Sequence, residues 1–233
     1  YAERVFFLTQ KEKRLNYKWV ILGCAFMMVF VCLGFCSSNK GMYMSAITDA
    51  LSIKRSVFSL NESFRFVATA IVNLFFGALV HRFGIRKMVA FGFVATIGSM
   101  AMFATAETAE GFWIAGAMLG VGLAFTTTTM TGSIVRRWFK QNVGRYTGIV
   151  FAANGVGGAI AAQLISPLIN EPGNPFGYRK AYYLVIAVTV AACVGFEALL
   201  YLIRKKPIPV GDLSACVTGL LLALNLGIFL CVF

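Results

Sequence analysis

Seven stretches of about 20 mainly apolar residues, each closed by charged or turn-forming residues, dictate what this 233-residue chain can fold into. They run Trp19 to about Ala46, Ser63 to Val80, Met88 to Ala106, Gly111 to Ile134, Tyr146 to Ile169, Ala181 to Ile203 and Leu213 to Phe233. A helix needs about 20 apolar residues to cross the ~30 Å hydrocarbon core of a bilayer, so each stretch reads as a span. The alternative spanning structure, a closed β-barrel, is built from alternating segments of about 10 residues, and these continuous runs exclude it. With 59% hydrophobic and 13% charged residues, the chain also has too little polar surface to cover a soluble domain. The expected fold is an all-α, multi-pass membrane protein.

The basic residues are distributed unevenly along this pattern. Fifteen of the 21 lysines and arginines fall on the N-terminal segment and on alternate connectors, among them Arg82, Arg86, Lys87, Arg136, Arg137 and Lys140. The opposite side carries four, Lys54, Arg55, Arg179 and Lys180, while Lys40 and Arg65 fall inside predicted spans. The positive-inside rule therefore places the N-terminus in the cytoplasm of a cell-membrane protein. The formal net charge of +12 is a topology signal and implies no nucleic-acid partner. No cleavable signal peptide is evident, because the first apolar run is long, lacks a small-residue cleavage site and is followed by further spans.

Cys24, Cys32, Cys36, Cys193, Cys216 and Cys231 all lie in apolar runs, with neither a C-x-x-C pair nor clustered histidines, and read as small buried hydrophobes. No metal, cofactor or catalytic constellation is expected, since no span holds a Ser/His, paired-carboxylate or metal-ligand cluster.

Between the second and third runs lies Gly77-Ala-Leu-Val-His-Arg-Phe-Gly-Ile-Arg-Lys87. This connector resembles the signature loop of the major facilitator superfamily, G-x-L-x-D-R-x-G-x-R-[RK], with Gly77, Leu79, Arg82, Gly84, Arg86 and Lys87 in register and His81 in place of the usual aspartate. The resemblance extends over Gly34-Phe-Cys-Ser-Ser-Asn-Lys40, Arg55-Ser-Val-Phe-Ser-Leu-Asn-Glu-Ser63, Gly120-Val-Gly-Leu-Ala-Phe125 with Arg136-Arg-Trp-Phe-Lys140, and Phe176-Gly-Tyr-Arg179. Within the superfamily these segments are most similar to the monocarboxylate transporters and their oxalate/formate-antiporter-like relatives.

The resemblance implies a cytoplasmic segment over residues 1–18 and a six-helix N-terminal transporter half over 19–206, one half of a twelve-helix transporter. Residues 207–233 then form a connector and a partial or atypical seventh span. It also implies a second six-helix half as partner, a small organic anion such as a monocarboxylate as substrate, and symport with protons or anion exchange as modes of coupling. The signature loop implies a cytoplasmic gate formed by Gly77, His81, Arg82, Gly84, Arg86 and Lys87. His81 cannot supply the negative charge of the family acid, although a neutral imidazole can still hydrogen-bond there.

Polar residues inside spans mark the candidate site, because ionisable groups in hydrocarbon are costly and usually face a bundle interior. Glu62, Arg65, Thr69 and Asn73, spaced by 3, 4 and 4, share one helical stripe. Thr69 and Asn73 are expected to line a central cavity; Glu62 and Arg65 either do so or form a neutralised structural pair. Lys40, about 33 Å along a continuous first helix, either binds the anion or snorkels to the outer headgroups. A substrate-linked lysine in the first helix of monocarboxylate transporters favours binding by resemblance. Tyr43 beside it and Asn154 in the fifth run complete the substrate-binding candidates. Thr126 to Thr129 and Thr131 either line a path or bond back to their own helix. Glu197 reads as structural. Gly116, Gly120 and Gly122, and Gly155, Gly157 and Gly158, are expected to admit neighbouring helices closely. A truncated or non-transporting protein of the same fold, or an exporter of another small molecule, remains the alternative.

Overall fold

The computed structural model describes residues 18–170 and 176–205, with side chains described through residue 195. Residues 1–17 and the segment 207–233, including Cys216, Cys231 and the seventh apolar run, lie outside the described residues, as does the side chain of Glu197. The described residues form six helical segments: α1 Lys18–Leu51, α2 Arg55–Phe83, α3 Ile85–Thr105, α4 Ala109–Trp138, α5 Val143–Ile169 and α6 Gly177–Lys205. The first five are long and apolar enough to cross a membrane. In the bundle α4 packs between α2 and α3, α6 covers α3, and α5 lies against α1.

Two spans are not continuous helices. In α1 the chain widens into a π-helical turn over Phe30–Phe35, and α-helix resumes only at Lys40–Leu51. Ser37, Ser38 and Asn39 supply the reason, since short polar side chains compete with the backbone ladder: the Ser38 hydroxyl lies 3.0 Å from the Leu33 carbonyl. π-bulges of this kind concentrate at functional sites. In α4 the helix Ala109–Thr126 gives way at Thr127 to Thr128–Trp138. Here the Thr126 and Thr127 hydroxyls donate to the Gly122 and Leu123 carbonyls of their own helix, at 3.0 and 2.6 Å, which is the back-bonding alternative of the two open from sequence.

Glycine sets how near the helices come. A Cβ at Gly116 would lie 2.4 Å from the Asn61 carbonyl oxygen, and one at Gly120 would lie 2.2 Å from that of Arg65, so α2 and α4 meet backbone to backbone. Gly122 abuts Thr96 of α3 in the same way, and Gly157 abuts the Phe30 carbonyl of α1. Gly155 departs from the expectation, because nothing lies within 4 Å of its Cβ position. Hydrogen bonds reinforce these contacts: Ser99 donates to the Ala115 carbonyl at 2.7 Å and Trp113 to the Val57 carbonyl at 2.9 Å. Between them the core is apolar and aromatic, with Phe93, Met100, Phe112 and Leu119 fully buried.

Helix ends explain the remaining boundaries. Thr108 caps α4 by accepting from the Gly111 amide at 3.3 Å, with Glu110 in the first turn complementing the helix dipole. Arg179 at the start of α6 reaches Glu107 of the α3–α4 connector at 2.9 Å, tying that end of the bundle together. α2 begins at Arg55 rather than near Ser63, because Glu62 and Arg65 neutralise each other and the helix continues through them. At the other end α2 and α3 are joined by Gly84 alone, at φ +83° and ψ 152°. A side chain at that φ is strained, so Gly84→Ala is expected to cost on the order of 1–3 kcal/mol and to lower the thermal midpoint measured in detergent.

Candidate functional site

The break in α1 places an unusual set of polar groups among apolar helices. Lys40 is the first residue of the resumed helix, and its ammonium pairs with Glu62 of α2. Glu62 in turn accepts from Arg65 one turn further on, with Arg65 Nη2 at 2.6 Å and Nε at 2.8 Å from the same carboxylate oxygen. Arg65 Nη1 extends to the Ser37 hydroxyl at 3.4 Å, back in the break, and its guanidinium lies 4.3 Å from the centre of the Phe66 ring. One carboxylate therefore bridges two cations on two helices. The cluster retains one positive charge in surroundings where an uncompensated charge is costly.

Beside this cluster lies a cavity of about 100 Å³, lined by groups from α1, α2, α3, α4 and α6. Its polar rim consists of Asn39, Lys40, Ser59, Asn61 and Glu62, and its floor of Phe58, Met100, Phe103, Leu119 and Tyr182. Three polar atoms on its wall are buried without a hydrogen-bond partner: Asn39 Nδ2, Tyr43 Oη and Asn61 Oδ1. Buried polar groups are normally satisfied, so donors and acceptors left open around a cavity mark a place for a polar guest. Tyr43 is held in place by stacking on Tyr182 at 4.2 Å, which itself stacks on Phe103 at 5.6 Å. The N-terminus of the helix Lys40–Leu51, whose dipole favours negative charge, opens on the same cavity.

The other candidates divide by position. Asn154 of α5 accepts from the Ser38 hydroxyl at 2.7 Å, so it meets the break in α1. Thr69 donates to the carbonyls of Arg65 at 2.8 Å and Gly120 at 3.0 Å, which places its hydroxyl in the α2–α4 contact. Asn73 accepts from Thr129 at 3.2 Å, one turn further along α2. Thr129 also lines an open recess of about 1030 Å³ between α4 and α5, with Arg136 and Lys140 at its edge. The stripe of α2 is thus shared among three settings: ion cluster, helix contact and recess.

Gly77, His81, Arg82, Gly84, Arg86 and Lys87 are gathered around the one-residue turn between α2 and α3, all on the exposed surface. Arg82 lies over the Phe83 ring at 5.7 Å.

Sequence reasoning singled out Lys40 and Arg65 and left Glu62 open between cavity lining and a structural pair with Arg65. The signal available was the charge count: an acid immediately before the second apolar run, in helical register with Arg65, among the few ionisable residues in or beside apolar runs. Asn39 and Asn61 carried no signal of their own, because their importance lies in the cavity that five helices enclose. Cys24, Cys32 and Cys36 are buried free thiols as expected, and Cys193 is partly buried.

Comparison with known proteins agrees with this architecture. Residues 14–230 match the family described as the Major Facilitator Superfamily. The chain is 26% identical over 176 residues to an uncharacterized MFS-type transporter, YcxA, of Bacillus subtilis (strain 168), covering 75% of this chain and 42% of that protein. It is 29% identical over 160 residues to the fujikurins efflux protein of Gibberella fujikuroi, covering 66% and 33%. With the agnestins efflux protein AgnL12 of Paecilomyces divaricatus it shares 22% identity over 214 residues, covering 91% and 49%. The chain thus spans less than half the length of each of these relatives. Given spanning helices packed through glycines, a one-residue basic turn between α2 and α3, and a family match over nearly the whole sequence, the chain belongs to the Major Facilitator Superfamily, a family of membrane transporters rather than enzymes.

Proposed function

We propose that this chain forms the anion-binding wall of a secondary transporter for a small organic anion, with a monocarboxylate as the class that fits best. The observation that carries this reading is the Lys40–Glu62–Arg65 cluster, which keeps a surplus positive charge beside a cavity of about 100 Å³ with unpartnered polar atoms. A carboxylate entering the cavity would accept from Lys40, Asn39 and Tyr43, while its apolar part would rest on Phe58, Phe103 and Tyr182. Arg65 holds the charge in place from behind, Asn154 keeps the break in α1 registered against α5, Thr69 fixes α2 on α4, and Asn73 with Thr129 lines the route toward the recess.

Transport by alternating access then requires a second six-helix half rocking against this one around the site. The turn from Gly77 to Lys87 would act as the cytoplasmic gate, with the N-terminus on the same side of the cell membrane, as the distribution of basic residues suggests. Its weak point is His81, which offers no fixed negative charge to neighbouring basic residues or helix ends. Protons and counter-anions are the coupling partners compatible with a site of this charge.

Export of a larger molecule is the second reading, favoured by the two fungal relatives named as efflux proteins and by the open recess between α4 and α5. The two readings separate in one measurement. The chain in lipid nanodiscs is titrated with radiolabelled propionate and with a panel of competing carboxylates. Saturable binding that small carboxylates displace is expected. Absence of any such binding would remove the anion reading and leave the exporter.

A further inference from the structure

The charge count at the cluster can be taken one step beyond the identity of the substrate class. Lys40 and Arg65 share one acid, Glu62, and among the described residues no other carboxylate, lysine, arginine or histidine lines the adjoining cavity. The site therefore has one positive charge to offer. A guest with one carboxylate brings the assembly to neutrality; a guest with two leaves it with a net negative charge among apolar helices, where charge is costly. Glu62 is thus more than a structural bridge, because it already occupies one of the two places that anionic groups could take beside these cations.

We infer that Glu62 fixes the valence of the bound anion, admitting monoanions and excluding dianions of similar size. The inference rests on the reading of this cavity as an anion seat. Geometry supports the assignment independently of chemistry at any other residue. Glu62 is held from both sides, by Lys40 of α1 and by Arg65 with contacts of 2.6 and 2.8 Å, so it cannot turn away to let a second carboxylate in without leaving both partners. Its position is fixed further because α2 is pressed against α4 at Asn61 and at Arg65, directly on either side of it. The buried Asn39 Nδ2 and Tyr43 Oη can each donate to a single incoming carboxylate, while Asn61 Oδ1 is an acceptor and would oppose a second.

The test uses propionate and malonate, two three-carbon acids that differ by one carboxylate, as probes of the chain in lipid nanodiscs near neutral pH. The parent is expected to prefer propionate by at least about tenfold in Kd. Glu62→Gln frees the second positive charge and should shift the ratio toward malonate by at least about tenfold. Lys40→Gln/Glu62→Gln returns the net charge to a single positive, carried by Arg65, and should restore the preference for propionate, which loss of a merely structural bridge would not do. Asn39→Asp provides a fourth point without removing Glu62: aspartate is a favourable residue ahead of a helix, and the now neutral site should lose both ligands. It also covers the case in which Glu62→Gln is not monodisperse.

An unchanged propionate-to-malonate ratio in Glu62→Gln would overturn the valence role while leaving the anion site standing. Undiminished propionate binding by Asn39→Asp would do the same. A parent that binds neither probe would remove the anion site itself, and with it this inference.

Discussion

Lys40→Gln is expected to lower propionate binding by roughly ten- to a hundredfold, while Lys40→Arg keeps most of it. The residue stands at the start of the resumed helix in α1 and faces the cavity, so its ammonium is the cation an entering carboxylate meets. A hydrogen bond to a charged group contributes about 1.5–3 kcal/mol, and that range converts to the stated loss of affinity. Folding should survive the change, because Glu62 keeps both of its contacts to Arg65 and is left paired. Glutamine removes the charge but preserves a polar head of similar reach. Arginine preserves the charge, though its planar fork presents donors differently from an ammonium and should weaken binding modestly. The measurement is a titration of each variant in nanodiscs beside its thermal midpoint. Equal affinity in Lys40→Gln and the parent would mean that the lysine serves only its ion pair with Glu62, and the monocarboxylate reading would lose its principal residue.

The limits of what could be read before the structure follow from the same residues. Apolar runs of spanning length located α3, α5 and most of α6 to within a few residues, because lipid leaves no other way to satisfy that much apolar backbone. Glycines at 116, 120 and 122 were legible as contact points, since a residue without Cβ in a spanning helix marks close approach more often than anything else. The α1 break was harder. Placing Lys40 by a constant rise per residue assumed an unbroken helix, whereas Ser37-Ser38-Asn39 interrupts it and turns the lysine into the opening residue of a new helical segment.

Pairing across helices was harder still. Glu62 lies 22 residues from Lys40, and their contact exists only because the α1–α2 connector folds the two helices side by side. Nothing local distinguishes a stripe residue that faces a cavity from one that faces a neighbour. Thr69 illustrates this: it continues the register of Arg65, yet its hydroxyl is occupied by two carbonyls in the contact with α4. Gly155 shows the converse, a glycine in a glycine-rich run with open space where a neighbour was expected.

That contrast yields the largest expected effect on stability. Gly120→Val should destabilise the bundle by about 3 kcal/mol or more, at the upper end of what overpacking costs or beyond it, because the clash is with backbone. Its Cβ would sit 2.2 Å from the Arg65 carbonyl oxygen and 3.0 Å from the Thr69 hydroxyl, so neither partner can move aside without separating α2 from α4. Separation would also break the Thr69 bond to the Gly120 carbonyl and displace Arg65, the residue that holds Glu62. Stability and anion binding should therefore fall together. Gly155→Ala is the matched control: with nothing within 4 Å it should leave the thermal midpoint unchanged or slightly raised, since alanine is the better helix former. Midpoints of both variants in detergent, followed by intrinsic fluorescence, make the comparison. If Gly120→Val melts with the parent, α2 and α4 are not packed backbone to backbone, and the positioning of Glu62 and Arg65 that underlies the site is wrong.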